Sequence, residues 1–318
     1  MMGTMVRGTL PLSRRRLLGG AVALGFGGGP GTGPALAETR AEMGAKKRAE
    51  APRRVAVLDW GLAASCVALG CVPVGVPAPS WCTRYVGDPA LPAGVTDVGL
   101  LFTPNFELLQ ELKPDAILIT PGLEVMRGPL ERVAPVFAVA LDRPGAGVLE
   151  RAGSETRRLA AFLGLEAAAE ALAARAEATL EQAAHELAPL TDRSVCLVNI
   201  LDQRHVNVFG ASSLHHAVLN RLGLRNAWGG EPVMGEFVAV GLERLAAVPD
   251  ARLINVALGG FGRLKAMAAN PFWQALPFSR EGRTHEIGSV LGSAGLPAVE
   301  RLARLLSAAL VPVEASHG

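Results

Sequence analysis

The chain has 318 residues, half of them hydrophobic and 19% charged, with a formal net charge of +2. Such a length allows one large or two medium domains with a substantial core. The near-neutral balance argues against a nucleic-acid binder, and no run after the first forty residues is apolar for long enough to insert in a membrane.

Residues 1–37 are predicted to be an export address. Ser13-Arg14-Arg15-Arg16-Leu17-Leu18 supplies a twin-arginine pair, Leu17 to Gly28 a short glycine-diluted apolar core, and Ala35-Leu36-Ala37 a small-x-small cleavage site. The working protein is then expected to begin near Glu38, to fold before crossing the inner membrane, and to act in the periplasm. No cysteine follows the cleavage site, so a lipid anchor is not expected. Residues 38–53 are charged and Ala-rich, a flexible lead-in.

Arg54 to Asp59 reads as a buried strand, Leu62 to Leu69 as a helix ended by Gly70, and Val72 to Val76 as a strand again. Pro104-Asn105 opens a helix, Phe106 to Leu112, that stops before Pro114. Asp115 to Ile119 and Pro135 to Val139 are the next strands. Alternation of this kind predicts a mostly parallel sheet covered on both faces, here over 54–145.

The composition changes between 146 and 188. Proline vanishes, alanine dominates, and Leu165, Leu172, Leu180 and Leu187 recur at near-heptad spacing. One long helix, or two interrupted at Gly164, is expected; roughly 25 uninterrupted residues would run nearly 40 Å. A helical pair within one domain is the alternative. In 189–318 the first pattern restarts: strands at Val195 to Leu201, His205 to Phe209, Arg252 to Ala257 and Thr284 to Ile287. Helices fall at Ser213 to Leu222, Leu242 to Val248, Phe272 to Leu276 and Pro297 to Leu310. Two α/β lobes joined by helix make a bilobed fold, whose natural ligand site is the cleft between strand ends.

Cys66, Cys71, Cys82 and Cys196 lack zinc-type spacing, and the six histidines, His317 among them, are scattered. Cys71 and Cys82 are near enough to bridge in an oxidising compartment; buried thiols are the other reading.

Several segments carry a resemblance. Arg54 to Gly70, Val98-Gly99, Pro104 to Leu109 and Leu112-Lys113-Pro114-Asp115 look like periplasmic binding proteins for iron chelates, the ferric-hydroxamate type in particular. So do Asp202, Arg204-His205, Val208-Phe209-Gly210, Asn226-Ala227-Trp228, Leu242 to Ala246 and Pro271 to Phe278. The resemblance runs from about Arg54 to Leu306. It implies a helix-spined two-lobed carrier, a monomer with no cofactor of its own, that delivers a ferric siderophore to an inner-membrane ABC permease. Ferric iron prefers oxygen ligands, which the siderophore supplies. The protein then needs aromatic walls and a few donors, with small lobe movements on binding.

The chain departs from that pattern in the pocket. Leu101 stands where the family has an arginine donor, and Leu123 where it has a tyrosine. Tyr85, the neighbourhood of Met234-Gly235, and Leu291 replace pocket tryptophans, while Trp60 matches. Compensating candidates are Arg84 and Tyr85 in the loop after Cys82, Phe102, Arg127, Phe237, and Phe261 and Arg263 in a glycine-rich turn. Surface charge is the competing reading for Arg84 and Arg127, and packing for Trp228 and Trp273. Docking on the permease is expected through Glu243 in the second lobe and Glu131, or alternatively Glu124, in the first. Two rivals stand beside this reading. One is a carrier of haem or cobalamin. The other is an exported enzyme, for which neither a nucleophile elbow nor a full dinucleotide fingerprint is present.

Overall fold

The structure, a computed structural model, describes residues 51–141, 143, 145–228 and 235–311. The predicted leader, most of the lead-in, Met234 and His317 lie outside the described residues.

The first lobe is built from β1 (Val55–Val57), α1 (Trp60–Ala68), β2 (Gly75–Val76), α2 (Pro79–Val86) and β3 (Thr96–Asp97). A small hairpin of β4 (Gly99–Leu100) and β5 (Thr103–Pro104) follows, then α3 (Phe106–Leu112), β6 (Ala116–Ile119), α4 (Arg127–Glu131) and β7 (Val136–Ala138). Its sheet has the order β3-β2-β1-β6-β7, with every pairing parallel. β1 and β6 are apolar throughout because a parallel strand is covered on both faces. Val55 and Val57 face the helical layer, while Ala56 and Leu58 join a separate outer core with Ile117, Ile119 and Leu109. Asp59 caps α1 by accepting from the Leu62 N–H at 2.8 Å, and Asn105 caps α3 in the same way.

The second lobe holds β8 (Val195–Ile200), β9 (His205–Phe209), α7 (Leu214–Arg221), β10 (Phe237–Gly241) and β11 (Arg252–Val256). Then come α8 (Arg263–Met267), α9 (Pro271–Ala275), α10 (Pro277–Arg280) and β12 (Thr284–Ile287). Its sheet runs β10-β9-β8-β11-β12; β8, β11 and β12 are parallel, while β9 and β10 are antiparallel additions. The segment expected as a helix at Leu242 to Val248 is a 3₁₀ helix, Leu242–Ala247.

Between the lobes lie α5 (Val148–Leu163) and α6 (Glu166–Leu187), broken at Gly164, whose φ is +70°. They do not continue one another. Arg157 pairs with Glu170 at 2.7 Å, although thirteen residues of continuous helix would separate them by roughly 20 Å. Leu149 and Leu180 line one groove. The linker is therefore an antiparallel hairpin, not a single spine. The final helix, α11 (Leu296–Leu310), packs along α6 and also reaches α1.

One core serves both lobes. Val55, Val57 and Leu62 of the first share it with Leu197, Ile254 and Ile287 of the second and with Leu159, Leu172, Leu302 and Leu306 of the helices. A direct seam adds to it: the Ser65 hydroxyl donates to the Ala294 carbonyl at 2.8 Å. Within the second lobe, Arg301 Nε donates to the Ser289 carbonyl at 2.6 Å. The Ser289 hydroxyl in turn donates to the Tyr85 carbonyl. Gly61 lies so close to Ser293 and Ala294 that a Cβ has no room there.

Candidate functional site

The first sheet reverses its order at β1, between β2 and β6, so the crevice beyond the carboxyl ends of β1 and β6 is the natural ligand position. β1 leads through Asp59, the cap of α1, to Trp60, the first residue of α1. The Trp60 indole N–H donates to the Pro77 carbonyl at 2.7 Å, which sets the ring's edge and leaves a face for packing.

Tyr85 meets that ring with centroids 5.3 Å apart, and Trp81 stacks on Tyr85 at 6.0 Å and 19°. These three aromatics form a continuous wall. Arg84 lies over Trp81, its guanidinium carbon 5.7 Å from the ring centroid. The sequence places Arg84 and Tyr85 in a loop; the structure places them in α2, where one helical turn brings Trp81 and Tyr85 to the same face. Pro79 at the first helical turn is the local signal for that helix, and Trp81 is a wall residue that sequence reasoning missed. Trp81 is 50% exposed, as a wall open to a ligand must be.

The second lobe answers with the loop after β11. A Cβ on Gly259 would stand 3.0 Å from both Cζ and the hydroxyl of Tyr85, so only a glycine lets the lobes approach here. Glu286 holds this loop, accepting from Asn255 Nδ2 at 2.8 Å, the Gly262 N–H at 3.1 Å and the Leu264 N–H at 3.2 Å. Phe261, 70% exposed, is carried on it and lies over Gly288.

The other expected site residues sit on other elements. Phe102 is 68% exposed on the turn between β4 and β5, a hairpin pinned to the start of α2 by the Ala78 N–H donating to the Gly99 carbonyl at 3.0 Å. Phe237 opens β10, edge-on to Phe209 at 6.0 Å. Arg127, expected as a free donor, is already engaged: it holds Glu124 through two bonds of 2.8 Å, Glu131 at 3.2 Å and the Val136 carbonyl at 3.0 Å. This pairing holds Glu124 below the usual carboxylate range, and the two bonded glutamates raise Arg127. Arg263 donates to the Ile200 carbonyl at 3.1 Å and to that of Leu201, closing the end of β8. Glu243 lies by a shallow hollow with Arg204, His205 and Phe272.

One arginine that sequence reasoning passed over stands in the crevice. Arg143, in the loop between β7 and α5, lines a cavity of about 440 Å³ with Asp59, Thr120, Gly122, Ala140 and Ser293. Arg151 holds this loop, donating to the carbonyls of Arg143 at 2.8 Å and Ala146 at 3.1 Å, and the Gly145 N–H donates to Ser212 of the second lobe at 3.0 Å.

All four cysteines are free thiols, so Cys71 and Cys82 form no bridge. Burial pushes Cys82 and Cys196 up to about 12, with the charge of Asp59 adding to the effect at Cys82, which makes both poor nucleophiles. Among the described residues, no group of three His, Cys, Asp or Glu side chains is placed to hold a metal ion. Nor is any helix among them long and apolar enough to cross a membrane.

Two lobes on a common helical layer, with an aromatic wall where strand ends meet, define a two-lobed binding protein. The chain belongs to the periplasmic binding protein family, whose profile matches residues 55–291. It is 34% identical over 239 residues to the iron(3+)-hydroxamate-binding protein FhuD of Escherichia coli (strain K12), covering 75% of this chain and 80% of that one. It is similar in structure to the siderophore-binding protein FhuD of Vibrio cholerae, solved with Fe3+–Desferal. The TM-score is 0.75 and the identity 28%, over 81% of this chain and 97% of that one. The catecholate-siderophore binding protein VctP of Vibrio cholerae shares the fold at 20% identity and a TM-score of 0.63, over 81% and 94% of the two chains.

Proposed function

We propose that the chain is the substrate-binding component of an ABC importer for ferric siderophores of the hydroxamate type. On this reading the twin-arginine leader exports it to the periplasm, where it works as a monomer. The observation that carries the reading is the wall of Trp60, Tyr85 and Trp81, with Gly259 of the second lobe close against Tyr85. Flat rings bury the apolar periphery of a chelate whose oxygens already fill the iron shell, and Arg84 offers a donor at the rim. Iron is cargo here, carried by the siderophore's own ligands. Glu243, with Glu131 as its first-lobe counterpart, serves as the acidic contact to the permease. Glu243→Ala is expected to keep chelate affinity and to slow uptake.

Intrinsic tryptophan fluorescence tests the binding. Ferric desferrioxamine B is expected to quench it with a Kd in the low micromolar range or tighter, about −8 kcal/mol or better. Tyr85→Ala is expected to weaken binding about tenfold or more, since one ring contributes on the order of 1.5 kcal/mol or more. Flat titrations with hydroxamate, catecholate and citrate chelates, together with quenching by haem or cobalamin, would replace this reading by the rival cargo.

A further inference from the structure

Resting on that reading, the crevice around Arg143 assigns a preference among iron chelates. Three observations converge on it. The crevice lies at the strand-order reversal of the first sheet, where β1 and β6 end. It is continuous along the chain with the aromatic wall, because Asp59 borders the cavity and Trp60 begins the wall. Its polar lining combines one guanidinium, Arg143, with one carboxylate, Asp59, and hydroxyls. Thr120 and Ser293 bring hydroxyls, and Asp59 turns one carboxylate oxygen into the start of α1. The Arg143 guanidinium enters none of the side-chain hydrogen bonds or ion pairs among the described residues.

The contrast with the neighbouring arginines is what makes Arg143 informative. Arg127 and Arg263 are consumed by carboxylates and carbonyls, and Arg151 is used to hold the Arg143 backbone. A guanidinium whose backbone is pinned from two sides, and whose fork is unused, is free to take a carboxylate in bidentate geometry. A cavity of about 440 Å³ takes a pendant arm rather than a whole chelate.

We infer that the protein selects hydroxamate chelates carrying a free carboxylate outside the iron shell, with the iron-bearing part on the Trp60–Tyr85–Trp81 wall and the carboxylate on Arg143. The chemistry needs no covalent step. It adds a bidentate, charge-assisted contact to an otherwise apolar recognition surface.

One chelate scaffold with three end groups tests this. Ferric desferrioxamine B ends in an ammonium, its N-acetyl derivative is neutral there, and its N-succinyl derivative ends in a carboxylate; the iron shell is the same in all three. Titrated at fixed ionic strength, the wild type is expected to bind the succinyl form about tenfold tighter than the acetyl form, the ammonium form being weakest. Arg143→Ala is expected to abolish that ladder while leaving acetyl-form affinity within about twofold. Arg143→Lys is expected to keep the order with a smaller step, because a point charge replaces the fork. Equal wild-type affinities for the three, or a ladder that survives in Arg143→Ala, overturns the carboxylate preference while the siderophore reading stands. No binding of any of the three to the wild type overturns the hydroxamate reading itself, and the preference with it. The exposed Arg143 side chain makes both variants foldable, which circular dichroism checks.

Discussion

His215 lies fully buried on α7 with its ring 3.9 Å from that of Phe209. Burial pushes its pKa from 6.5 down to about 4, with the Val290 backbone acting in the other direction. Above pH 6.5 the ring is neutral in both native and unfolded chains, and its titration adds nothing. As the pH falls from 6.5 towards 4, the unfolded chain takes up a proton that the native site refuses. Stability is therefore lost across that window, by up to about 3 kcal/mol, and the loss levels off below it. Urea unfolding at a series of pH values is expected to show this step in the wild type and a smaller one in His215→Leu. A step of the same size in the variant would assign it elsewhere. The same scale explains which site residues were readable. Trp60 was legible because it follows closely on a strand of recognisable pattern, although the structure places it at the start of α1. Arg127 and Arg143 look alike as letters, and only their neighbours distinguish a clamped guanidinium from an unused one.

At the level of elements, the helical hairpin depends on Gly164. It ends α5 in the left-handed region, and a Cβ there would stand 3.0 Å from that of Ala51. Gly164→Val is expected to destabilise the protein by about 2 kcal/mol, since a β-branched residue resists that conformation. Chemical denaturation measures it, and an unchanged midpoint would show that the turn relaxes freely. The apolar stripe of α6 was legible: Leu172, Leu180 and Leu187 are buried at the expected spacing, with Ala169, Ala176 and Ala183 between them. The fold-back was not, because periodicity reports which face is apolar and says nothing of direction after a break. Strands of two residues, such as β3 to β5, are too short to show a period, and no strand signal was read at β10.

For the whole molecule, the consequence lies in the shared core. Lobes that bury Val57, Leu62, Leu197 and Ile254 in one cluster, under α5, α6 and α11, have no independent interior on that side. Wide hinge opening would expose it. Ferric chelate binding is therefore expected to change the radius of gyration by less than about 1 Å, and denaturation to follow one cooperative transition. Scattering that shows a large compaction on binding, or two separated transitions, would contradict the shared core. Gly259 against Tyr85 and the Ser289 hydroxyl on the Tyr85 carbonyl act in the same sense, holding the cleft at a preset width.

The sequence by itself determined the two α/β lobes, the helical stretch between them, most strand positions and the Trp60 end of the wall. These follow from local patterns: apolar runs, capping residues, glycine and proline stops. Only the tertiary structure decided that α5 and α6 run antiparallel, that Trp81 joins Tyr85, and that Arg143 has its guanidinium unused while Arg127 does not. Each of those depends on which distant groups come within a few ångströms, and separation along the chain carries no record of that distance.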